Sequence, residues 1–130
     1  MSDLRPSGTA ITIGGVERHF LFTLAVIDEI QSTYDQPVSE VINRLANEKD
    51  VYQTVAYLAL VLINDEIERN NYFKGSSDPL MTEKELKWLI TMETTKDVGI
   101  AIMKAYGLSL PEDDDDEDDD DPNVKRSRNN

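Results

Sequence analysis

The stretch VYQTVAYLALVLINDEIERN, residues 51–70, decides the fold of this chain of 130 residues. Asp50 with Gln53 matches a capping box, which predicts a long helix from about Val51 to Asn70. Apolar residues recur at helical spacing and define a core stripe for that helix. The predicted stripe consists of Tyr52, Val55, Ala56, Ala59, Leu62, Ile63 and Ile67.

The same helix carries more apolar residues than one stripe accounts for. Leu58 and Leu60 flank the stripe, while Tyr57 and Val61 lie one turn apart on the opposite side. A helix that is apolar nearly all round is either central to its domain or offers a second face to a partner. The sequence leaves both interpretations open.

A β-hairpin is predicted ahead of the long helix. Residues 1–8 are expected to form a flexible arm. Ile11 and Ile13 alternate with polar neighbours, and Gly14-Gly15 suits the two-residue turn of a hairpin. Because a lone hairpin is only marginally stable, its apolar face must pack on helices.

Two shorter helices are predicted between the hairpin and the long helix. Thr23 is a suitable N-cap for the first, which ends near Thr33. Pro37 opens the second, which ends near Ala46.

Two more helices are predicted after a loop over residues 71–81. Thr82 with Glu85 is a second capping-box match, which opens a helix that ends near Met92. The last helix is predicted from about Lys96 to Tyr106. Its expected cap is Thr94 or Thr95, and Gly107 is expected to end it.

The chain is therefore predicted to be mainly α (α+β), with an N-terminal β-hairpin packed on a bundle of about five helices. This single domain covers residues 9–111. Ten consecutive acidic residues follow, from Glu112 to Asp121. Residues 112–130 have almost nothing to bury, so they are predicted to form a disordered acidic tail.

Composition excludes several classes of protein. The net charge is −13, of which the tail holds −7 and the rest of the chain −6. Nucleic-acid binding is not expected, because phosphate contacts need clustered Lys and Arg. The absence of cysteine excludes disulfides and thiol catalysis. The longest apolar run is nine residues, so no membrane span is predicted, and we expect a cytosolic protein.

No enzyme signature accompanies this composition. His19, the single histidine, is predicted to face solvent on the more polar side of the second strand. Gly14-Gly15 lacks the spacing of a phosphate-binding loop. The acidic run lacks the glycine that a calcium-binding loop needs for its sharp turn. We therefore expect no catalytic residues, no cofactor and no specific metal site.

A partner-binding surface is the stronger hypothesis. Tyr57 and Val61 lie off the core stripe of the long helix, and Trp88 and Met92 lie off the Leu86 stripe of the next helix. Trp and Met are frequent where proteins grip apolar partners. These four side chains are the predicted partner-binding residues.

The order of these segments resembles the tail assembly chaperones of long-tailed bacteriophages. The resemblance covers most of residues 9–111 and is one of order and texture, with no active-site motif. It is carried by ITIGGVERHFLFTLAVIDEIQ at 11–31, PVSEVINRL at 37–45, the long apolar helix, TEKELKWLITME at 82–93 and AYGLSLP at 105–111.

The resemblance implies a small helical protein of the host cytoplasm that is absent from the mature virion. Such chaperones coat the tape measure protein and keep it soluble while tail tube subunits polymerise around it. In many relatives a ribosomal frameshift produces a longer form that recruits the tail tube protein. The partners implied for this chain are the tape measure protein and, through a longer product, the tail tube protein.

The alternative interpretation is an acidic regulatory or nucleic-acid-mimic protein whose tail masks a basic partner surface. Deletion of residues 112–130 separates the two hypotheses. A chaperone that grips its partner through apolar helix surface keeps most of its solubilising activity. A nucleic-acid mimic loses activity, and the activity of its intact form falls steeply with salt. Partner solubility measured with and without the tail, across a salt series, distinguishes them.

Overall fold

A computed structural model describes residues 8–49 and 51–111 as an antiparallel hairpin followed by five helices. The predicted fold class is therefore confirmed. The acidic tail and all of the predicted arm except Gly8 lie outside the described residues. The elements are β1 (Thr9–Ile13), β2 (Val16–Phe20), α1 (Leu24–Tyr34), α2 (Val38–Asn47), α3 (Tyr52–Lys74), α4 (Glu83–Leu89) and α5 (Met92–Ser109).

Helix α3 is the central element of the domain. It contacts α1, α4, α5 and β2, so most of its circumference is covered. The sequence left open whether this apolar helix is central to the domain or offers a second face to a partner. Its contacts with four other elements show that it is central. Leu58, which only flanks the predicted stripe, is fully buried. Tyr52 was predicted as a core residue and is exposed, because the first turn of α3 lies at the edge of the packed region.

The hairpin packs on α3 through its apolar face and one carboxylate. Phe20 is fully buried. The backbone N–H of His19 donates to Oε1 of Glu66 at 2.9 Å, and its Nδ1 lies 2.6 Å from Oε2. The prediction that His19 simply faces solvent is therefore wrong. Its side chain is about one-third exposed, because Glu66 in α3 reaches the strand edge.

The two-residue turn of the hairpin forms as predicted. Ile13 pairs with Val16 across Gly14 and Gly15, whose φ values are 60° and 79°. A Cβ added to Gly14 would lie 2.8 Å from a methyl group of Leu89 in α4. Gly14 therefore meets two demands, positive φ and close approach, whereas Gly15 faces open space.

The ends of α3 differ from the predicted ones. The helix continues past Asn70 to Lys74 and ends at Gly75, which adopts φ 71°. Its N-cap is Val51, which offers no side-chain hydrogen bond. The predicted cap Asp50 lies outside the described residues.

The ends of α5 also differ from the predicted ones. Its cap is Thr91 rather than Thr94 or Thr95, because the Thr91 hydroxyl accepts from the N–H of Thr94 at 3.2 Å. At the other end the helix continues through Gly107 to Ser109. Gly107 does not adopt positive φ and so does not terminate it.

Substitution of Leu58 by alanine tests the central position of α3. Leu58→Ala leaves a cavity in a fully buried site, so we expect a loss of about 2–5 kcal/mol in the free energy of unfolding. Leu108→Ala in the exposed last turn of α5 is the matched control, with an expected change within about 0.5 kcal/mol. Chemical denaturation followed by circular dichroism measures both. Equal losses in the two variants would contradict the packing described for α3.

Candidate functional site

An apolar groove lies between the first turn of α3 and the corner that joins α4 to α5. Its volume is about 240 Å³. Its apolar lining comes from Tyr52 and Ala56 of α3 and from Ile90 and Met92 at the corner. Gln53, Lys87, Thr91 and Thr95 complete the lining with polar groups. An apolar floor with a polar rim is the usual composition of a protein-binding surface.

Helix α4 borders the groove through Lys87 and is held mainly by its ends. Leu86 is its only fully buried side chain. Before α4, Asn64 in α3 makes two hydrogen bonds to the backbone of Met81, at 3.0 and 2.8 Å. At its other end, Leu89 lies against the hairpin turn at Gly14. Helix α4 and the corner that follows it are therefore positioned by contacts from both α3 and the hairpin.

A capping box fixes the start of α4. The N–H of Glu85 donates to the hydroxyl of Thr82 at 3.1 Å, and the N–H of Thr82 donates to the Glu85 carboxylate at 2.8 Å. The bond from the Thr82 backbone holds the pKa of Glu85 below its ordinary value, and the Thr82 hydroxyl adds to this effect. The predicted capping box is therefore present in the structure.

Met92 is exposed because of where α5 begins. Ile90 and Thr91 form a sharp connection between α4 and α5, and Met92 is the first residue of the new helix. Its side chain is 71% exposed and lines the groove. Met92 is the predicted partner-binding residue that the structure places at the groove.

Trp88 lies beside the groove rather than in it. The ring is 74% exposed and shares a shallow depression with Glu83, Lys84 and Lys87. Nζ of Lys84 stands 5.9 Å from the ring centroid, within the range of a cation–π contact. Lys87 lines both the depression and the groove, so the two adjoin. The residues that line the groove and those that line the depression form one surface, which we call the α4–α5 corner surface.

Tyr57 and Val61 are placed differently from the other two predicted residues. The Tyr57 hydroxyl shares a hydrogen bond with the hydroxyl of Thr33 at 2.6 Å, and its ring meets Tyr34 edge-on at 5.5 Å. Burial raises the pKa of Tyr57, and the Glu29 carboxylate acts in the same direction. Val61 is half-buried against the core. Both side chains make contacts within the domain, and neither lines the groove.

Apart from Trp88 and Met92, the residues of the α4–α5 corner surface were not predicted from the sequence, and Tyr52 and Lys87 show why. Tyr52 was assigned to the core because it continues the spacing of Val55 and Ala56, and periodicity alone does not show where neighbouring elements stop covering a helix. Lys87 carries no signal of its own in the sequence. Met92 was predicted to be exposed from its place off the Leu86 stripe, but the helix predicted to reach Met92 ends at Leu89, so the exposure of Met92 has a different origin, its position in the first turn of α5.

Two further features, a metal-binding cluster and a membrane-spanning helix, are not found in the described part of the chain. Residues 8–49 and 51–111 contain no group of three or more His, Asp or Glu placed to hold a metal ion. No helix within those ranges is both long and apolar enough to cross a bilayer. The chain matches no protein-family model, no curated protein and no solved structure.

The two capping boxes respond differently to pH. Glu85 has a lowered pKa, so its contribution to α4 is complete above its unfolded pKa and is lost as pH falls through the folded value. The equivalent position in the α5 box is Thr94, which does not titrate. We expect hydrogen-exchange protection of the α4 amides to fall in the acidic range while that of the first α5 turn stays constant. A parallel fall in both helices would contradict this assignment.

Proposed function

We propose that the protein is a phage tail assembly chaperone that binds apolar helical segments of a tape measure protein through its α4–α5 corner surface. The observation that carries the proposal is the groove between α3 and the corner, with exposed Met92 and Tyr52 on its lining. Support also comes from the mainly helical architecture, since the resemblance implies a small helical protein.

The size of the groove favours a helical partner over a small molecule. Small-molecule sites enclose about 300–1,000 Å³, and this groove holds about 240 Å³. A space of that size suits one or two apolar side chains that project from a partner helix. Helix-in-groove recognition works in this way, with anchor residues spaced one turn apart. Met92 in the apolar lining adapts to different anchors, which suits a chaperone that binds many segments of one long helix.

Charge favours a binder that stays soluble when loaded. The chain carries −13 overall, so complexes repel one another. At the α4–α5 corner surface, Lys87 pairs with Glu83 at 3.0 Å on the exposed side of α4. The surface that lines the groove is mainly apolar. Apolar contact therefore supplies the attraction, and surface charge limits aggregation.

Co-expression is the direct test of the proposed function. The protein is produced together with a candidate tape measure protein, a long helical chain that is insoluble alone, and the soluble fraction of that partner is measured by size-exclusion chromatography. A soluble complex that forms only when both chains are present is the expected result. A partner that stays insoluble, with no complex eluting, would contradict the proposal.

Groove variants locate the binding surface. Met92→Lys and Tyr52→Lys place a charge in the groove, and we expect each to lower the soluble partner yield about tenfold or more, the effect of removing an interface hot spot. Leu108→Lys is the control, because Leu108 is 72% exposed, as Met92 is 71% exposed, and does not line the groove. Trp88 is the only tryptophan, so its fluorescence reports partner binding at the corner.

The control variant decides how a loss of yield is interpreted. Leu108→Lys is expected to support the same partner yield as the unmodified chain. If it fails as badly as Met92→Lys, the loss reflects a general effect of added charge, and the groove is not the binding surface. A Trp88 signal that is unchanged on binding would argue against the corner in the same way.

A further inference from the structure

The outer edge of β1 presents backbone groups that face away from the hairpin. His19 lies opposite Ala10 in the strand register. Its N–H donates outward to Glu66 at 2.9 Å, so His19 and Ala10 form a pair that exchanges no hydrogen bonds. Residues of an antiparallel strand alternate between inward and outward backbone groups. The N–H and C=O of Ala10 therefore point outward, and so do those of Thr12.

The two edges of this sheet differ in whether their outward backbone groups have hydrogen-bond partners. On β2, Glu66 covers the outward N–H of His19. On β1, no hydrogen bond from the rest of residues 8–49 and 51–111 reaches the outward groups of Ala10 or Thr12. Both of these residues are exposed. Within the described chain, β2 therefore has one outward donor that is satisfied, whereas the outward groups of Ala10 and Thr12 on β1 have no such partner.

The composition of β1 does nothing to block the open edge. Proteins protect exposed strand edges with lysine, proline, a bulge or an inward charge. The strand reads TAITI from Thr9 to Ile13, with no charge and no proline, and four of its five residues are β-branched types of high β-propensity. Its pairing with β2 runs residue for residue, without a bulge. Such a strand is a template for a further strand.

We infer that two copies of this protein associate through antiparallel pairing of their β1 strands, which joins two hairpins into one continuous sheet. When the two-fold axis passes beside Ile11, Ala10 of each copy lies opposite Thr12 of the other copy. The interface therefore contains two Ala10–Thr12 pairs. Each of these pairs brings outward N–H and C=O groups together in the geometry that exchanges two hydrogen bonds. The middle residue of the strand lies on the axis, so neither strand overhangs the other.

A second copy fits this edge better than the acidic run of the same chain. Aspartate is among the residues depleted in strands, so residues 112–121 are poor material for a sheet. Ile11 is half-buried against the core, and the two-fold axis sets it beside its own copy. Hairpins gain stability when further strands are added to them. The interface therefore buries apolar side chains and satisfies backbone groups together.

Net charge sets the strength of this association. Each copy carries −13, so two copies repel one another at low ionic strength. Salt screens that repulsion without weakening backbone hydrogen bonds to the same extent. The dimer is therefore stronger at high salt than at low salt, the opposite of an interface held by ion pairs.

Sedimentation equilibrium of the full chain tests the inference. We expect the mass to rise from 14.7 kDa towards twice that value as protein concentration increases, with a smaller dissociation constant at high salt. Ala10→Pro removes one outward N–H from each copy and spares the bonds inside the hairpin. We expect it to raise the dissociation constant about tenfold or more. Ala10→Val keeps the N–H and is the matched control, expected to dimerise as the unmodified chain does.

Amide exchange in the unmodified chain provides a test that does not depend on a variant. The N–H groups of Ala10 and Thr12 should exchange quickly in dilute samples and slowly in concentrated ones. Those of Ile11 and Ile13 lie inside the hairpin and should be protected in both. A mass that stays at 14.7 kDa overturns the inference, as does an Ala10→Pro variant that is folded and dimerises normally. Fast exchange of Ala10 and Thr12 in a concentrated dimer overturns it too.

Discussion

The constraint on which the structure depends is the apolar circumference of α3. A helix with an apolar surface on nearly every side is stable in water only when other elements surround it. The hairpin, α1, α4 and α5 each contact one part of it. A domain of this size has few elements that can surround a helix, and in this one they leave the first turn of α3 uncovered. Tyr52 is exposed there, and the groove opens at that place.

The same constraint connects the candidate site to the fold. Helix α4 contributes little to the core beyond Leu86, yet it helps to cover α3 and leads into the corner that lines the groove. Its position depends on the Asn64 bonds to Met81 and on the contact of Leu89 with the hairpin turn. The groove is therefore a product of packing around one helix, and its shape follows from how closely α4 approaches.

Much of the fold could be predicted because local signals and packing agree. Thr82 with Glu85 predicted the start of α4, and the glycine pair predicted the hairpin turn. Helix ends were harder, since Thr91 and Thr94 both carry the hydroxyl that caps a helix. Leu58 was placed outside the core stripe because periodicity assumes a helix with one buried face, and α3 has several.

The candidate site was only partly predictable. Met92 and Trp88 stood out as apolar residues off the core stripe, and both are exposed. Tyr57 carries the same sequence signal, but it packs against Tyr34 in α1. Sequence spacing shows which residues share a helix face. It does not show which neighbouring element covers that face, and that information decided the difference.

The hairpin turn has a consequence for how this sequence can diverge. Gly14 and Gly15 are neighbouring glycines in the sequence, and both adopt positive φ. A side chain at position 15 meets no atom, so asparagine or aspartate is accommodated there at small cost. A side chain at position 14 would displace the side chain of Leu89, which immediately precedes Ile90 in the groove lining. Substitution is therefore tolerated at Gly15 and disfavoured at Gly14. Gly14 is also the residue through which the hairpin contacts the helix next to the proposed binding surface.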